Sequence, residues 1–282
     1  MALGAQGTWG LFPFYWKQIE DVPAIQVIGH RIVWSFVTLA AIALWTQQAT
    51  RLRRTAGSRR VLGLYAAAAV LISANWFTYI WAVNHRFIVE TSLGYFVNPL
   101  VTVLIGVVIF GERLRAAQWV AVGCAAAGVL YLAIEHGSLP WIALALTATF
   151  AGYSAVKKLA PLGSLDGLTV ETAWVTLPAL AYLSYADHSG EGAFVHGGLS
   201  TTLYLAGAGL VTTMPLVMYA TAVRSIPLSM IGVTQYVSPT LQLVIGVLFY
   251  HEPFTRAQMI GFSGVWTGLL VFGLDGWFSR KR

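Results

Sequence analysis

The chain has 282 residues, 57% of them hydrophobic and only 10% charged, with a formal net charge of +6 and a mean hydropathy of +0.69. A soluble domain carries about 25% charged residues, so this composition excludes a water-covered surface and makes the lipid bilayer the natural solvent. The positive balance does not read as nucleic-acid binding, because the basic residues sit in short connections between apolar runs, where they set orientation. The single Cys124 excludes an internal disulfide and reads as a small buried hydrophobe. No metal-ligand spacing and no cofactor motif is present in the sequence.

Ten apolar segments follow in chain order: 1–17, 24–47, 61–83, 91–110, 117–135, 138–156, 168–186, 199–222, 228–249 and 258–277. Each is near the ~20 residues that an α-helix needs to cross hydrocarbon. Backbone polar groups must be satisfied inside the bilayer, so helices are the expected form. The first segment is short, and Pro13, Tyr15, Trp16 and Lys17 make a poor signal-peptide core and cleavage site. The expected class is therefore an all-α membrane protein with ten transmembrane helices.

Lysine and arginine set the expected orientation. With a cytoplasmic N-terminus, thirteen of them fall on the cytoplasmic side: Arg51, Arg53, Arg54, Arg59, Arg60, Arg113, Arg115, Lys157, Lys158, Arg224, Arg280, Lys281 and Arg282. Three fall outside (Lys17, Arg86 and Arg256), and Arg31 lies within a helix. Cytoplasmic loops carry such an excess, so both termini are expected in the cytoplasm of a cell with this multi-pass protein in its inner membrane.

The second half repeats the first at a spacing of 140 residues. Tyr95–Gln118 and Gln235–Gln258 share the matched pairs Val97/Val237, Pro99/Pro239, Ile105/Ile245, Gly106/Gly246 and Glu112/Glu252. The same shift pairs Tyr79 with Tyr219, Lys17 with Lys157, Trp34 with Trp174 and Gly128 with Gly268. Duplication gives two units, residues 1–136 and 137–282, of five helices each. Five is odd, so the second unit enters from the opposite side. The connections agree: the arginine-rich stretch 51–60 corresponds to one with Asp187 and Glu191 and no basic residue. Inverted repeats characterise secondary transporters, whose substrate sites lie near the midplane at the repeat interface.

Several residues can carry chemistry on that plan. Pro99 and Pro239 remove a helical hydrogen bond and free the carbonyls of Tyr95 and Gln235. They read as hinges, or as bends made for packing. Arg31 and Glu171 occupy equivalent positions within their segments, and intramembrane ionisable groups are functional candidates. Arg31 suits a substrate carboxylate held bidentately, and Glu171 suits a coupling proton; snorkelling to the interface is the alternative for each. Lys17 and Lys157 end helices one and six, as gate cations or interface anchors. His30, the one histidine inside a span, can titrate near neutral pH or sit satisfied in the core. Asn75, Trp76, Tyr79, Tyr95, Asn98, Gln235, Tyr236 and Ser238 read as the wall of a substrate cavity, or as hydrogen-bonding between helices. Glu112 and Glu252 read as partners of Arg115 and Arg256 or as caps of the following helix.

The sequence also resembles the RarD group within the EamA branch of the drug/metabolite transporter superfamily. The resemblance rests on Trp9-Gly10 with Pro13 and Lys17, His30-Arg31 with Trp34-Ser35, and Asn75-Trp76 leading to Ile80–Asn84. It continues through Ser92–Leu100, Gly111–Arg113, Gly137–Pro140, Val211–Thr213 with Pro215, and Gln235-Tyr236 with Pro239-Thr240. It implies a ten-helix inner-membrane secondary transporter with two EamA repeats, whose relatives export amino acids and other metabolites.

The expected function is alternating-access movement, in the export direction, of a small metabolite or amphipathic solute, amino-acid-like or drug-like. The expected partners are that solute, the bilayer and a coupling proton, with no cofactor and no metal. A channel or a non-transporting membrane protein is the alternative. An enzyme is not expected, because no HExxH, G-x-S-x-G or ATP-binding G-x-x-x-x-G-K-[ST] pattern occurs in the sequence.

Overall fold

The computed structural model describes residues 1–46, 58–85, 87–136, 141–251 and 254–279. All regular structure among these residues is helical. In chain order the helices are α1 (Ala2–Gly10), α2 (Phe12–Trp16, extended by a 3-10 turn Lys17–Ile19), α3 (Ala24–Trp45), α4 (Arg59–Asn84), α5 (Ile88–Val108), α6 (Ala116–His136) and α7 (Trp141–Leu159). They continue as α8 (Ser164–His188), α9 (Ala193–His196), α10 (Gly198–Ser225), α11 (Leu228–Gln235), α12 (Val237–Phe249) and α13 (Arg256–Ser279). Among the described residues six stretches are long and apolar enough to cross a membrane: Ala24–Trp45, Arg59–Tyr79, Ala116–Glu135, Gly198–Ser225, Leu228–Phe249 and Arg256–Phe278. Arg51, Arg53, Arg54, Arg86, Glu252 and the tail Arg280–Arg282 lie outside the described residues.

Proline decides where two helices break. The first segment is drawn from sequence as one helix but folds as α1 and α2, which part at Leu11. Pro13 has no N–H for the carbonyl of Trp9, and that carbonyl accepts a bond from Gln242 Nε2 at 3.1 Å instead. The ninth segment parts at Tyr236, between α11 and α12, three residues before Pro239. Pro99, by contrast, lies inside an unbroken α5.

Among the helix pairs that pack extensively are α3 with α8, α5 with α11, and α6 with α13. Small residues let the last pair approach closely. A Cβ on Gly128 would lie 2.4 Å from the carbonyl oxygen of Gly261, and one on Gly268 would lie 2.5 Å from that of Ala121. Without an aqueous hydrophobic drive between helices in lipid, such close backbone packing is a main source of association. The turns after α5 and α12 each contain a left-handed residue, Gly111 (φ 65°) and His251 (φ 53°). One core cluster buries Tyr153, Tyr219, Val223, Leu228 and Ile231 fully around Ala68 and Ile72.

Candidate functional site

A cavity of about 560 Å³ lies between α1–α2, α3, α4, α5, α7 and α11–α12, and reaches the loop at Glu20 and Val22. Ligand pockets of this size hold drug-sized molecules. Gln6, Trp9, Trp16, Phe150 and Gln242 line it together with Arg31, Asn75, Trp76, Tyr79, Tyr95, Asn98, Gln235, Ser238 and Pro239.

Arg31 projects from α3 and donates through Nε to Thr212 Oγ1 on α10 at 3.0 Å. Its Cζ lies 4.9 Å from the ring of Trp16 and 4.9 Å from that of Trp76. Indole faces attract a guanidinium through their quadrupole, so two indoles and a hydroxyl fix this side chain in the wall. Tyr79 and Tyr95 form an edge-on pair with ring centroids 6.1 Å apart.

Below them runs a chain of hydrogen bonds. Asn98 Nδ2 donates to Gln235 Oε1 at 3.0 Å, and Gln235 Nε2 donates to the Tyr219 hydroxyl at 2.9 Å. The Tyr219 hydroxyl and Ser154 Oγ share a bond of 2.6 Å. Asn75 Nδ2 donates to the carbonyl of Leu146 and to Thr149 Oγ1 at 2.8 and 3.0 Å. Ser238 Oγ accepts from Gln242 Nε2 at 3.3 Å.

The remaining sequence candidates lie elsewhere. Tyr236 is buried against α5 and donates to the carbonyl of Phe96 at 3.2 Å, so it ties helices together and does not line the cavity. His30 is buried and stacked on Phe194, centroids 4.9 Å apart. Lys17 pairs with Glu20 at 2.6 Å at the mouth. Lys157 and Glu171 form a pair at 2.8 Å, each almost fully buried, and neither lines the cavity. Pro99 is buried beside α11, its carbonyl oxygen 2.6 Å from where a Cβ on Gly232 would stand.

A second polar group lies apart from the cavity lining. Glu112, in the turn after α5, accepts from the backbone N–H groups of Leu228 (2.6 Å) and Ser229 (2.8 Å) and from Lys158 Nζ (3.1 Å). Sequence reasoning paired it with Arg115 or with the next helix; Arg115 instead meets Asp275 at 2.6 Å. Glu112 does cap a helix, but one that starts 116 residues further along. Burial alone would push this carboxyl up; the bonds from Ser229, Leu228 and Lys158 outweigh it and hold Glu112 below its ordinary value. Nearby, Arg224 donates to the carbonyls of Ala160, Pro161 and Leu162. None of these residues lines the cavity, and the buried cluster around Tyr153 and Tyr219 shares its helices, α7 and α10.

Sequence reasoning missed Gln6, Trp9, Trp16, Phe150 and Gln242 in the wall and Thr212 behind Arg31. Trp9 and Thr212 stand in stretches that carry the family resemblance, a usable signal. Gln6, Phe150 and Gln242 sit in apolar runs with no spacing to mark them.

The EamA-like transporter family matches residues 1–134 and again residues 139–274. The chain belongs to the EamA-like transporter family. The RarD protein of Streptomyces exfoliatus is 43% identical over 279 residues, covering 99% of this chain and 89% of the relative. The uncharacterized transporter YojE of Bacillus subtilis (strain 168) is 43% identical over 268 residues, covering 94% and 89%. A solved crystal structure at 18% identity superimposes with a TM-score of 0.68 over 96% of this chain and 94% of that one, a likeness of fold. Family membership and the apolar helices make this EamA-family chain a multi-pass membrane transporter.

Proposed function

We propose that the chain is a secondary transporter that carries a small solute across the inner membrane by alternating access between two inverted five-helix repeats, residues 1–136 and 137–282. The observation that carries this reading is the cavity: about 560 Å³, lined as far as Glu20 and Val22 in the loop before α3, with no lining residue from the Glu112–Lys158 or Lys157–Glu171 groups. A carrier held in one of its two access states has that shape.

The repeat reading is supported by geometry at equivalent positions. The three helix pairs, α3 with α8, α5 with α11 and α6 with α13, are each equivalent under the 140-residue shift. The close contacts of Gly128 on Gly261 and of Gly268 on Ala121 exchange into one another under it, as contacts across a two-fold axis do. Gly111 and His251, the left-handed turn residues, are also 140 positions apart. So are Tyr79/Tyr219 and Tyr95/Gln235, and each half brings its two together.

Basic residues support an orientation. Arg59, Arg60, Arg113, Lys157, Lys158 and Arg224 cluster at the sealed face by chain position, which the positive-inside bias assigns to the cytoplasm. The state described is then open outwards and closed inwards. Closure rests on two groups, Glu112 with Lys158 and the start of α11, and the buried Lys157–Glu171 pair. Glu171 keeps its coupling role here, at the gate: a proton on its carboxylate removes the pair that holds α7 to α8. Pro239, beside the break between α11 and α12, is the hinge that this half offers, with Pro99 its mate.

The test is solute flux in proteoliposomes with and without a proton gradient. Saturable, gradient-sensitive uptake supports a carrier; unitary conductance steps in a planar bilayer would replace the carrier with a channel.

A further inference from the structure

We infer that the cavity selects organic monoanions, and in particular a carboxylate on a flat apolar body, over amines and over zwitterions such as amino acids. The inference rests on the carrier reading for its purpose but on the charge balance of the cavity for its content. Among the described residues, tyrosines aside, only two ionisable side chains line the cavity, Glu20 and Arg31. Glu20 stands at the mouth and is already balanced by Lys17 at 2.6 Å. Arg31 is deeper, and no described carboxylate pairs with it. The interior therefore carries one positive charge without a counter-charge.

The guanidinium is also held in place. Nε is committed to Thr212, itself buried, at 3.0 Å. Trp16 and Trp76 take its cation–π contacts at 4.9 Å each. The terminal N–H groups make no hydrogen bond to any described residue. Those groups form a planar fork that matches a carboxylate with two parallel bonds. A charge removed from bulk water gains most from an anion that brings its own charge to the same place. An ammonium group meets no counter-charge there, since no described acidic residue lines the interior, and the like charge of Arg31 repels it. A dianionic phosphate wants more donors than one fork supplies. Trp9, Phe150 and Ile72 then face the rest of the molecule with apolar and aromatic surface.

The full chain in lipid nanodiscs tests this with four probes of one ring system: indole-3-acetate (anion), tryptophan (zwitterion), tryptamine (cation) and tryptophol (neutral). Equilibrium binding of radiolabelled indole-3-acetate is measured, with the other three as competitors. Saturable binding of the anion is expected, with tryptamine and tryptophol weaker by about tenfold or more, the worth of one charge-assisted pair, and tryptophan weaker by about as much through its ammonium group beside Arg31. Arg31→Gln should erase the anion's advantage over tryptophol, and Arg31→Lys should keep part of it. Tryptophan or tryptamine competing as well as the anion itself would overturn the inference, in the wild-type chain alone and whatever the variants do. So would an absence of saturable anion binding, or an anion preference that survives Arg31→Gln in folded protein. A flux arm separates the two readings. An anion that binds but is never moved overturns the carrier and leaves the site; movement of tryptophan in its place keeps the carrier and overturns the site's selectivity.

Discussion

Glu112 is where a single change should alter which face of the protein is open. Its carboxylate joins the turn after α5 to Lys158 on α7 and to the first two N–H groups of α11, with bonds of 2.6, 2.8 and 3.1 Å. Glu112→Gln keeps the shape and one acceptor oxygen but turns an amide NH₂ towards a donor. The oxygen kept can still accept from Leu228 and Lys158, so the bond lost is that from Ser229. A hydrogen bond to a charged group contributes about 1.5–3 kcal/mol, and with the charge assistance of the other two also gone, Lys158 being partly screened by solvent, the cost is about 3 kcal/mol in the closed arrangement. That shifts the balance of states by roughly a hundredfold. The assay needs a reporter beneath the seal. Cys124 is the only cysteine in the sequence, so Cys124→Ala gives a clean background, and Ala222→Cys places a thiol at a residue only 4% exposed in the sealed core. Labelling by a membrane-impermeant maleimide from the cytoplasmic side of inverted vesicles should be slow in that background. It should be many-fold faster with Glu112→Gln and intermediate with Glu112→Asp. Equal labelling rates in all three, with unchanged thermal stability, would refute the role given to Glu112. The pH dependence follows in sign. The folded carboxyl is held below its ordinary value, so its contribution is whole above the unfolded pKa and lost only as pH falls through the depressed one. Divided by the rate for a free thiol at the same pH, which cancels the thiolate dependence of the maleimide reaction, labelling in the Ala222→Cys background should stay flat from pH 8 to about 5 and rise once pH falls below the ordinary glutamate range.

The buried Lys157–Glu171 pair gives a second prediction. Glu171→Gln leaves a buried ammonium unpaired and should cost about 3–5 kcal/mol, read as a lowered melting temperature, while the double variant Lys157→Met/Glu171→Met recovers most of it. If Glu171 carries the coupling proton, that recovered double variant moves solute without response to a proton gradient; a retained response would remove the coupling role. Gly128→Val puts a branched side chain against the carbonyl of Gly261, which a Cβ already meets at 2.4 Å. The α6–α13 pair must then part, and the melting temperature in detergent should fall by several degrees; Gly123→Val, where a Cβ meets nothing within 4 Å, is the matched control and should not move it. Pro239→Ala restores an N–H at the break between α11 and α12. It should raise thermal stability slightly and slow transport more than binding, checked by comparing flux with probe affinity in one preparation.

Much of the fold is legible in the sequence. Helix is the one form that a continuous apolar run can take in lipid, and the 140-residue register survives in the left-handed Gly111 and His251 and in the start of α6 and α13 at Ala116 and Arg256. Of the cavity wall, Arg31, Asn75, Trp76, Tyr79, Tyr95, Asn98, Gln235 and Ser238 stand out as polar or aromatic groups in apolar surroundings. Tyr236 stands out for the same reason yet serves packing, because its helix turns it towards Phe96. The sequence also marks Lys157 and Glu171 as candidates one by one, without marking them as a pair 2.8 Å apart.

Composition and register by themselves determine a membrane protein built from a doubled helical unit, because the free energy of an unsatisfied peptide group in hydrocarbon leaves no other backbone form, and duplication leaves a residue-by-residue trace. Contacts between helices far apart in the chain decide the rest: that Arg31 faces a cavity between two indoles, that Glu112 caps a helix 116 residues away, and that Lys157 meets Glu171. These depend on which side chains three-dimensional packing brings within hydrogen-bonding reach, a distance of about 3 Å that spacing along a strand of sequence does not encode.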